Sequence, residues 1–282
     1  MKRIILVLVL IFSIGNSFSQ EANLEKYTSH NKGKWFIFWG GNRDSYVKSD
    51  IHYTGNGYDF TVQDAVADDK PKGWHIDYIN PARMTIPQTN LRIGYFISDK
   101  YNVSIGVDHM KYVVRQNQTF NVNGSINIPI SEIGSKFNGV YNNKPTVMTD
   151  DFLKLEHTDG LNYVHAEISR FDDISKVFKL PNIDKVQINL TEGLGTGFIY
   201  PRTDSSLLSR PRHDDYNVAG IGISAKAGLN ITFFKHFFIQ TELKAGYINM
   251  FNIRTTFDTS DKATQTILFF ERTIAFGGIF RL

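Results

Sequence analysis

The sequence contains no cysteine, which excludes disulfide bonds, thiol nucleophiles, cysteine-ligated metals and a lipid anchor on an N-terminal cysteine. It also lacks a strong charge of either sign, because 31 basic and 28 acidic residues leave a net charge of +3. Nothing in this balance favours nucleic acid as a partner. Beyond residue 20 there is no apolar run of about 18 residues, so the sequence predicts no membrane-spanning helix.

The N-terminus does contain a targeting pattern. Lys2 and Arg3 precede an apolar run from Ile4 to Ile14, and Ser17-Phe18-Ser19 places small residues at a cleavage position. This order of charged, apolar and small residues is typical of a secretory signal peptide. We therefore expect residues 1–19 to be removed and the mature chain to begin at Gln20.

The C-terminal stretch from Thr264 to Leu282 alternates with a period of two. Successive side chains of a strand point to opposite sides, so Ile274 and Phe276 share one apolar, aromatic face. From Ile274 to Leu282 the chain spans nine residues, close to the roughly 9–11 that a tilted strand needs to cross a bilayer. The pattern predicts a closing transmembrane strand, with Arg272 at its far rim.

Seven earlier segments alternate in the same way, and they span residues 34–42, 90–98, 102–114, 161–170, 185–198, 219–231 and 237–253. Their connections tend to alternate between long and short, as in barrels that have short turns on one side of a membrane and long loops on the other. In the first long connection, segments 51–54 and 58–62 also alternate and predict a hairpin above the membrane. The predicted fold class is all-β, an eight-stranded antiparallel transmembrane β-barrel with long extracellular loops.

This architecture and its closing strand resemble the small eight-stranded Gram-negative outer-membrane β-barrel proteins of the OmpA-transmembrane and OmpX type. The resemblance covers residues 34–282 and rests on no specific motif. It implies an outer-membrane location, with both termini in the periplasm and the long loops outside the cell. We therefore expect residues 20–32 to be a periplasmic lead-in and residues 33–282 to be the barrel. We find no peptidoglycan-binding segment after the barrel and expect no wall-anchoring role.

The inward faces of the predicted strands carry many charges. An eight-stranded barrel has an interior just wide enough for side chains to fill it, and buried charges must be paired. We therefore predict a salt-bridge network that plugs the lumen, with a proton path or a narrow polar pore as the alternative. The predicted network consists of Arg92, Asp108, His165, Glu167, Lys226, Glu242, Lys244, Glu271 and Arg281.

The connections at 44–88 and 115–160 together hold about 90 residues, which is too many for simple connectors. The first is rich in aromatic side chains, which suit a contact surface. The candidate contact residues are Tyr46, Tyr53, Tyr58, Phe60, Trp74 and Tyr78. The favoured hypothesis is a structural or interaction protein that acts through these loops, alone or as a subunit of a larger outer-membrane complex. The expected partners are outer-membrane lipid and lipopolysaccharide, other outer-membrane proteins or surface glycans.

The alternative hypothesis is a lipid A-modifying enzyme that transfers or removes acyl chains. Palmitoyl-transferring barrels use an Asp-Ser pair with a His on outer loops. Two sets of residues look like this pattern, Asp44-Ser45 with His52 and Asp204-Ser205 with His213. No His is followed by Ser two residues later, as in the lipid A deacylase family. Because these dipeptides are common, we name no catalytic residue.

Metal and cofactor sites have little support in the sequence. Asp64, Asp68 and Asp69 are close together, but they lack the spacing of an EF-hand loop. Tyr163, His165, Glu167 and Ser169 share one strand face, where neighbours are about 6–7 Å apart and beyond direct hydrogen-bond reach. We predict neither a metal site nor a cofactor.

Overall fold

The computed structural model describes residues 30–73, 75–79, 83 and 87–282. The predicted signal peptide and most of the predicted lead-in lie outside these residues. Within them the chain forms fifteen β-strands and two short 3-10 helices, Ile76–Ile79 and Ile133–Phe137. The strands are β1 Trp35–Tyr46, β2 Ser49–Gly55, β3 Tyr58–Ala65, β4 Ala67–Asp68, β5 Thr89–Phe96, β6 Tyr101–Val114, β7 Thr119–Ile126, β8 Gly139–Val147, β9 Leu153–Asp173, β10 Val186–Ile199, β11 Arg202–Leu207, β12 His213–Tyr216, β13 Gly220–Phe233, β14 Phe237–Arg254 and β15 Lys262–Phe280.

Eight of these strands close into a ring, in the order β1-β5-β6-β9-β10-β13-β14-β15, and every neighbouring pair is antiparallel. The ring closes where β1 pairs with β15, with Trp35 opposite Phe280 and Asp44 opposite Glu271. The predicted fold class, an all-β antiparallel barrel of eight strands, is confirmed. We call the end that holds Trp35, Phe280 and the short connections 97–100, 174–185 and 234–236 the turn end.

The barrel wall follows the two-residue alternation of its strands. Outward side chains are apolar and exposed, and inward side chains are buried in the lumen. Exposed apolar residues on the wall include Ile93, Val103, Ile105, Ile168, Leu194, Ile221, Ile223, Leu229, Leu243, Leu268, Phe270, Ile274 and Phe276. An apolar surface of this size is unfavourable in water, because apolar area gains free energy on leaving it. No helix in the described residues is long and apolar enough to cross a membrane.

The lumen is filled with aromatic rings at the turn end. Phe38 meets Phe238 edge to face with ring centroids 6.4 Å apart, and Phe96 meets Phe171 in the same way at 5.5 Å. The ring of Phe36 packs on Phe96 in the same layer. Gly94 leaves room for Phe36, because a Cβ at Gly94 would lie 2.2 Å from its ring. Such edge-to-face pairs add to the stabilisation from area burial. This aromatic layer closes the lumen at the turn end.

At the opposite end, the long connections are not loops but a folded β-structure. The predicted hairpin is present as β2 and β3, and the end of β15 beyond the wall pairs with β2 and so continues the sheet as β15-β2-β3-β7-β8. On the other side β11 pairs with both β9 and β12, and β4 pairs with β6. We call these seven added strands, with the ends of β6, β9 and β15 that pair with them, the cap.

The cap has a hydrophobic core of its own. Its buried side chains, among them Ile51, Phe60, Val122, Phe152 and Leu155, form one cluster that continues down to Tyr163 and Phe269 in the lumen. In the sequence the segments that carry them look polar because only alternate residues are apolar. In the folded cap the face formed by these apolar residues points inward. Cap and lumen therefore pack as a single interior.

Candidate functional site

The middle of the lumen holds a network of buried charges centred on Arg92. One guanidinium nitrogen of Arg92 lies 3.0 Å from carboxylate oxygens of both Glu167 and Glu242, and a second lies 3.5 Å from Asp108. The ring of Phe38 lies 4.7 Å beneath the guanidinium carbon. Arg92 is opposite Gly106 on β6, so the neighbouring strand leaves space for the large side chain. This arginine links three strands through three carboxylates.

Two lysines and a histidine complete the network. Lys226 lies 2.7 Å from Glu167 and 2.9 Å from Glu242. Lys244 forms an ion pair with Asp108 and lies 3.2 Å from Glu167. His165 lies between the same two acids, with Nε2 3.1 Å from Asp108 and Nδ1 3.5 Å from Glu167. Each lysine and each carboxylate of this set has at least one partner of opposite sign, as burial requires.

The network has more acids than bases at the strand pair that closes the ring. Asp44 of β1 stands directly opposite Glu271 of β15, and both side chains are buried. One oxygen of Asp44 accepts from Gln88 at 2.9 Å, and one oxygen of Glu271 accepts from Asn90 at 3.1 Å. The second carboxylate oxygen of each, Oδ1 of Asp44 and Oε2 of Glu271, is buried without a hydrogen-bond partner. Lys244 is 3.9 Å from Glu271.

The structure brings together eight of the nine residues predicted for the lumenal network: Arg92, Asp108, His165, Glu167, Lys226, Glu242, Lys244 and Glu271. The ninth is wrong. Arg281 is exposed at the turn end and donates to the backbone oxygen of Lys32 at 3.3 Å. Strand pairing ends at Phe280, so the alternation that would turn Arg281 inward no longer applies. Asp44 was missed because the first strand was predicted to end at residue 42.

Between the aromatic layer and the charges lies a cavity of about 20 Å³, bordered by Asn102, Ser169, Thr191, Lys226 and Gln240. A volume of this size holds about one water molecule. The polar lining offers hydrogen bonds to such a water, whereas the aromatic rings below offer none. Aromatic rings on one side and charged side chains on the other therefore border this small space.

The predicted aromatic contact surface is largely interior, and this corrects the sequence prediction for three of its residues. Tyr53, Tyr58 and Phe60 are 0%, 4% and 1% exposed, and Tyr53 stacks on Phe60 at 5.2 Å. They face the core because β2 and β3 turn the same alternating side of the hairpin inward. Tyr46 is partly buried and its hydroxyl donates to the backbone oxygen of Lys111 at 2.7 Å. Trp74 lies outside the described residues.

Tyr78 lies against the outside of the barrel rather than at the top of the cap. Its backbone oxygen accepts from the indole nitrogen of Trp39 at 2.5 Å, and its hydroxyl accepts from Arg43 at 3.0 Å. Gly41 makes this approach possible, because a Cβ at Gly41 would lie 3.0 Å from the Tyr78 ring. The 3-10 helix that carries Tyr78 therefore rests on the outer wall of β1.

The structure separates the residues of both sets that look like an acyltransferase pattern. Asp44 points into the lumen and Ser45 is exposed, while His52 pairs with Asp59 at 2.8 Å. Ser205 is opposite His213 inside the cap, where both are buried. Adjacent residues of a strand face opposite sides, so Asp204 turns away from Ser205, and Arg212 donates to it at 2.7 Å. Neither set forms an exposed Asp-Ser-His arrangement.

Two of the three clustered acidic residues of the first long connection, Asp68 and Asp69, are engaged by protein groups. Asp68 receives two hydrogen bonds from Arg115, at 2.9 and 2.7 Å, and these hydrogen bonds lower the pKa of Asp68. Asp69 accepts from the side chain of Gln88 at 2.6 Å and from the backbone of Asp44 at 2.9 Å. Across the described residues there is no group of three or more His, Asp or Glu side chains placed to hold a metal ion.

A buried histidine lies inside the cap. His157 is fully buried on β9, with Nδ1 3.3 Å from the hydroxyl of Thr203 and its ring 5.9 Å from the ring of Tyr112. Burial lowers the pKa of His157 to about 4. The side chain is therefore neutral at pH 7, and its charging would oppose packing of the cap. No pattern in the sequence singled out this residue.

Comparisons with known proteins give distant likenesses. No protein-family model matches the chain, and no curated protein matches its sequence. Among solved structures it is similar to Ail, the attachment invasion locus protein of Yersinia pestis, at 12% identity and a TM-score of 0.34, covering 88% of this chain and 99% of that one. It is also similar to the outer membrane protein OprG of Pseudomonas aeruginosa, at 10% identity and a TM-score of 0.36, covering 90% and 98%. Neisserial surface protein A gives 10% identity and a TM-score of 0.32, covering 88% and 97%. All three are small outer-membrane β-barrels, too distant to indicate an activity or partner.

Proposed function

We propose that this protein is an outer-membrane anchor that presents a rigid, folded cap to a protein partner on the outside of the cell. The apolar wall suits a bilayer, and the filled lumen leaves the barrel no evident transport role. What remains available for interaction is the surface of the cap. The supporting observation is a group of aliphatic side chains exposed at the far end of the cap sheet.

Ile130, Ile133 and Val140 form this group, which we call the aliphatic patch, and they are 91%, 76% and 81% exposed. Ile130 and Ile133 belong to the connection between β7 and β8, and Val140 lies on β8, the last strand of the cap sheet. Aliphatic side chains this exposed gain free energy when a partner covers them. Charged residues beside them, Glu132, Lys136 and Lys144, supply the polar rim that protein interfaces have.

The patch is held in place before any partner binds. The side chain of Asn138 accepts from the backbone nitrogen of Ile128 at 3.0 Å and donates to its oxygen at 2.8 Å, which closes the connection into a loop. Arg210 joins Glu132 of this loop, at 3.2 Å, to Asp261, the residue before β15, at 2.6 Å. A surface fixed in this way loses little conformational entropy on binding.

The edge of β8 favours side-chain contacts over pairing with a partner strand. Pro145 lacks a backbone donor, and Asn143 adopts a positive φ of 49° where the register with β7 shifts. Proline, lysine and bulges at an edge strand discourage strand addition. The partner is therefore expected to bind over the aliphatic patch and not along the backbone of β8.

Photo-crosslinking in intact cells tests this proposal. A photoreactive amino acid at Ile130 or Ile133 should give a protein adduct of defined mass, whereas the same amino acid at Asp215, exposed on β12, should give none. Equal adduct formation at Asp215, or none at Ile130 and Ile133, would contradict the proposal.

The orientation in the membrane can be tested separately, because the chain has no native cysteine. Ser260→Cys on the cap should react with a membrane-impermeant maleimide in intact cells. Lys235→Cys, exposed at the turn end, should react only after the outer membrane is permeabilised. The reverse pattern would place the cap in the periplasm and would rule out a partner outside the cell.

A further inference from the structure

Two arginines stand directly opposite each other on the outer wall of the barrel. Arg43 of β1 pairs with Arg272 of β15. Their neighbours along each strand, Asn42, Asp44, Glu271 and Thr273, are buried in the lumen, so the alternation turns both arginines outward. We call Arg43 and Arg272 the arginine pair. It lies on the outer side of the wall, behind the acidic pair Asp44 and Glu271.

The arginine pair lies within the apolar surface of the wall and not at its edge. On β15, Ile274 precedes Arg272 toward the turn end and Phe270 follows it toward the cap, and these side chains are 55% and 58% exposed. On β14, Leu243 is opposite Arg272 and is 59% exposed. Two like charges opposite each other repel, and an arginine on a lipid-facing wall is unfavourable unless it is compensated.

Among the described residues no carboxylate forms an ion pair with either arginine. Arg43 donates to the backbone oxygen of Asn42 at 2.6 Å and to the hydroxyl of Tyr78 at 3.0 Å, and its charge also acts on Asp69 without a direct bond. Arg272 is exposed and has neither an ion pair nor a hydrogen bond within the described chain. Elsewhere on the wall an arginine does have an acidic partner, because Arg170 lies 2.6 Å from Asp172. Among the described residues the arginine pair therefore has no directly bonded anion.

We propose that Arg43 and Arg272 bind the phosphate group of a membrane lipid in the leaflet on the cap side. Guanidinium groups match phosphate oxygens with two parallel hydrogen bonds and stay charged at every physiological pH. The Tyr78 hydroxyl accepts from Arg43, and its own O–H is a third donor group beside the pair. Apolar side chains on both sides exclude a ligand without acyl chains, because such a ligand would have to leave water to reach the site.

This site goes beyond the proposed function. It depends on insertion of the barrel in a membrane but not on the aliphatic patch or its partner. Loss of the lipid site would leave crosslinking at Ile130 intact, and loss of the crosslink would leave lipid binding intact. The two proposals can therefore fail separately.

Native mass spectrometry of the full protein in detergent tests the site. The probes are bisphosphorylated lipid A, the same lipid A with its phosphates removed, and phosphatidylglycerol. We expect the wild-type protein to retain a phosphorylated lipid about tenfold or more better than the Arg43→Gln/Arg272→Gln variant, from the loss of charge-assisted hydrogen bonds. Preferential retention of lipid A or of phosphatidylglycerol identifies which lipid supplies the phosphate.

The matched control is Arg170→Gln/Arg212→Gln, which removes the same charge from two arginines that have carboxylate partners. It should retain phosphorylated lipid as the wild type does. The single variant Arg272→Lys should retain more phosphorylated lipid than Arg43→Gln/Arg272→Gln, because it keeps the positive charge. Heat-dependent gel mobility verifies that each variant folds. Equal retention by wild type and Arg43→Gln/Arg272→Gln, or equal retention of lipid A without phosphates, would overturn the proposal.

Discussion

Asp44 and Glu271 face each other across the strand pair that closes the barrel, and each has a buried carboxylate oxygen without a hydrogen-bond partner. In the lumen, five carboxyl groups of Asp44, Asp108, Glu167, Glu242 and Glu271 surround three permanently basic side chains and His165. The excess of acid lies at the closing seam, where like charges directly opposite each other are destabilising. The five carboxyl groups therefore contribute unequally to the stability of the barrel.

The first prediction compares two buried glutamates of this network. Glu271→Gln should change the free energy of unfolding by no more than about 1 kcal/mol, because the amide oxygen can still accept from Asn90 and Thr273. Glu242→Gln should lower it by about 3 kcal/mol, because Arg92 and Lys226 lose a buried partner. Urea unfolding in lipid vesicles measures both variants. Equal destabilisation by the two substitutions would show that the acids are equivalent and would contradict this account.

The barrel was predictable from the sequence because each wall strand has one lipid-facing side, and a one-residue change of register would bury the wrong side. The inward charges were predictable for the same reason, since residues such as Glu167 and Lys244 alternate with apolar neighbours. The end of β1 was not predictable in this way. Asp44 looks like the start of a polar loop, and only its partner Gln88 makes it part of the interior.

The cap was mostly beyond prediction because its strands pair far along the chain. The hairpin of β2 and β3 is local and was predicted, but β3 also pairs with β7, with Asp59 opposite Ser125. Tyr53 and Phe60 were assigned to a contact surface because aromatic residues in a polar connection suggest recognition. Pairing between distant segments turns these aromatic residues into a core, and no local pattern specifies that pairing.

The second prediction concerns the core of the cap. Phe60→Ala should destabilise the cap by about 3–5 kcal/mol, because it removes a buried ring that stacks on Tyr53 and packs near Phe152. Limited proteolysis in detergent should then cleave segments 49–65 and 119–147, while the barrel strands stay protected. Tyr216→Ala, at an exposed ring, is the matched control and should leave the cap resistant. Uncleaved Phe60→Ala protein would show that the cap does not depend on this core.

The third prediction is that the barrel conducts no ions. The aromatic layer around Phe38 and Phe238 and the charges around Arg92 close the lumen in succession. Planar bilayer recordings of the purified wild-type protein should therefore show no steady conductance. Phe38→Ala/Phe238→Ala opens only the first layer and should remain closed, since the ion pairs still fill the cross-section. Regular conductance steps in the wild type would favour the pore hypothesis and contradict a filled lumen.

The fourth prediction concerns pH. The pKa of His157 falls from 6.5 to about 4 on folding, because burial disfavours the charged ring. Between these two values the unfolded cap binds a proton that the folded cap does not, so stability rises with pH through this range. Acidification from pH 7 to pH 4 should cost about 3 kcal/mol at this residue.

Hydrogen exchange at pH 7 and at pH 5, corrected for the intrinsic exchange rate, measures this effect as protection of β9 residues 153–157 and of β11. Protection should fall at pH 5 in the wild type and should fall less in His157→Gln, which cannot take up a proton but keeps a polar group beside Thr203. Exchange in β13, a wall strand separated from β9 by β10, provides the internal reference. If the wild type and His157→Gln lose protection equally, the acid sensitivity comes from other groups, and His157 is then only a neutral packing residue in the cap.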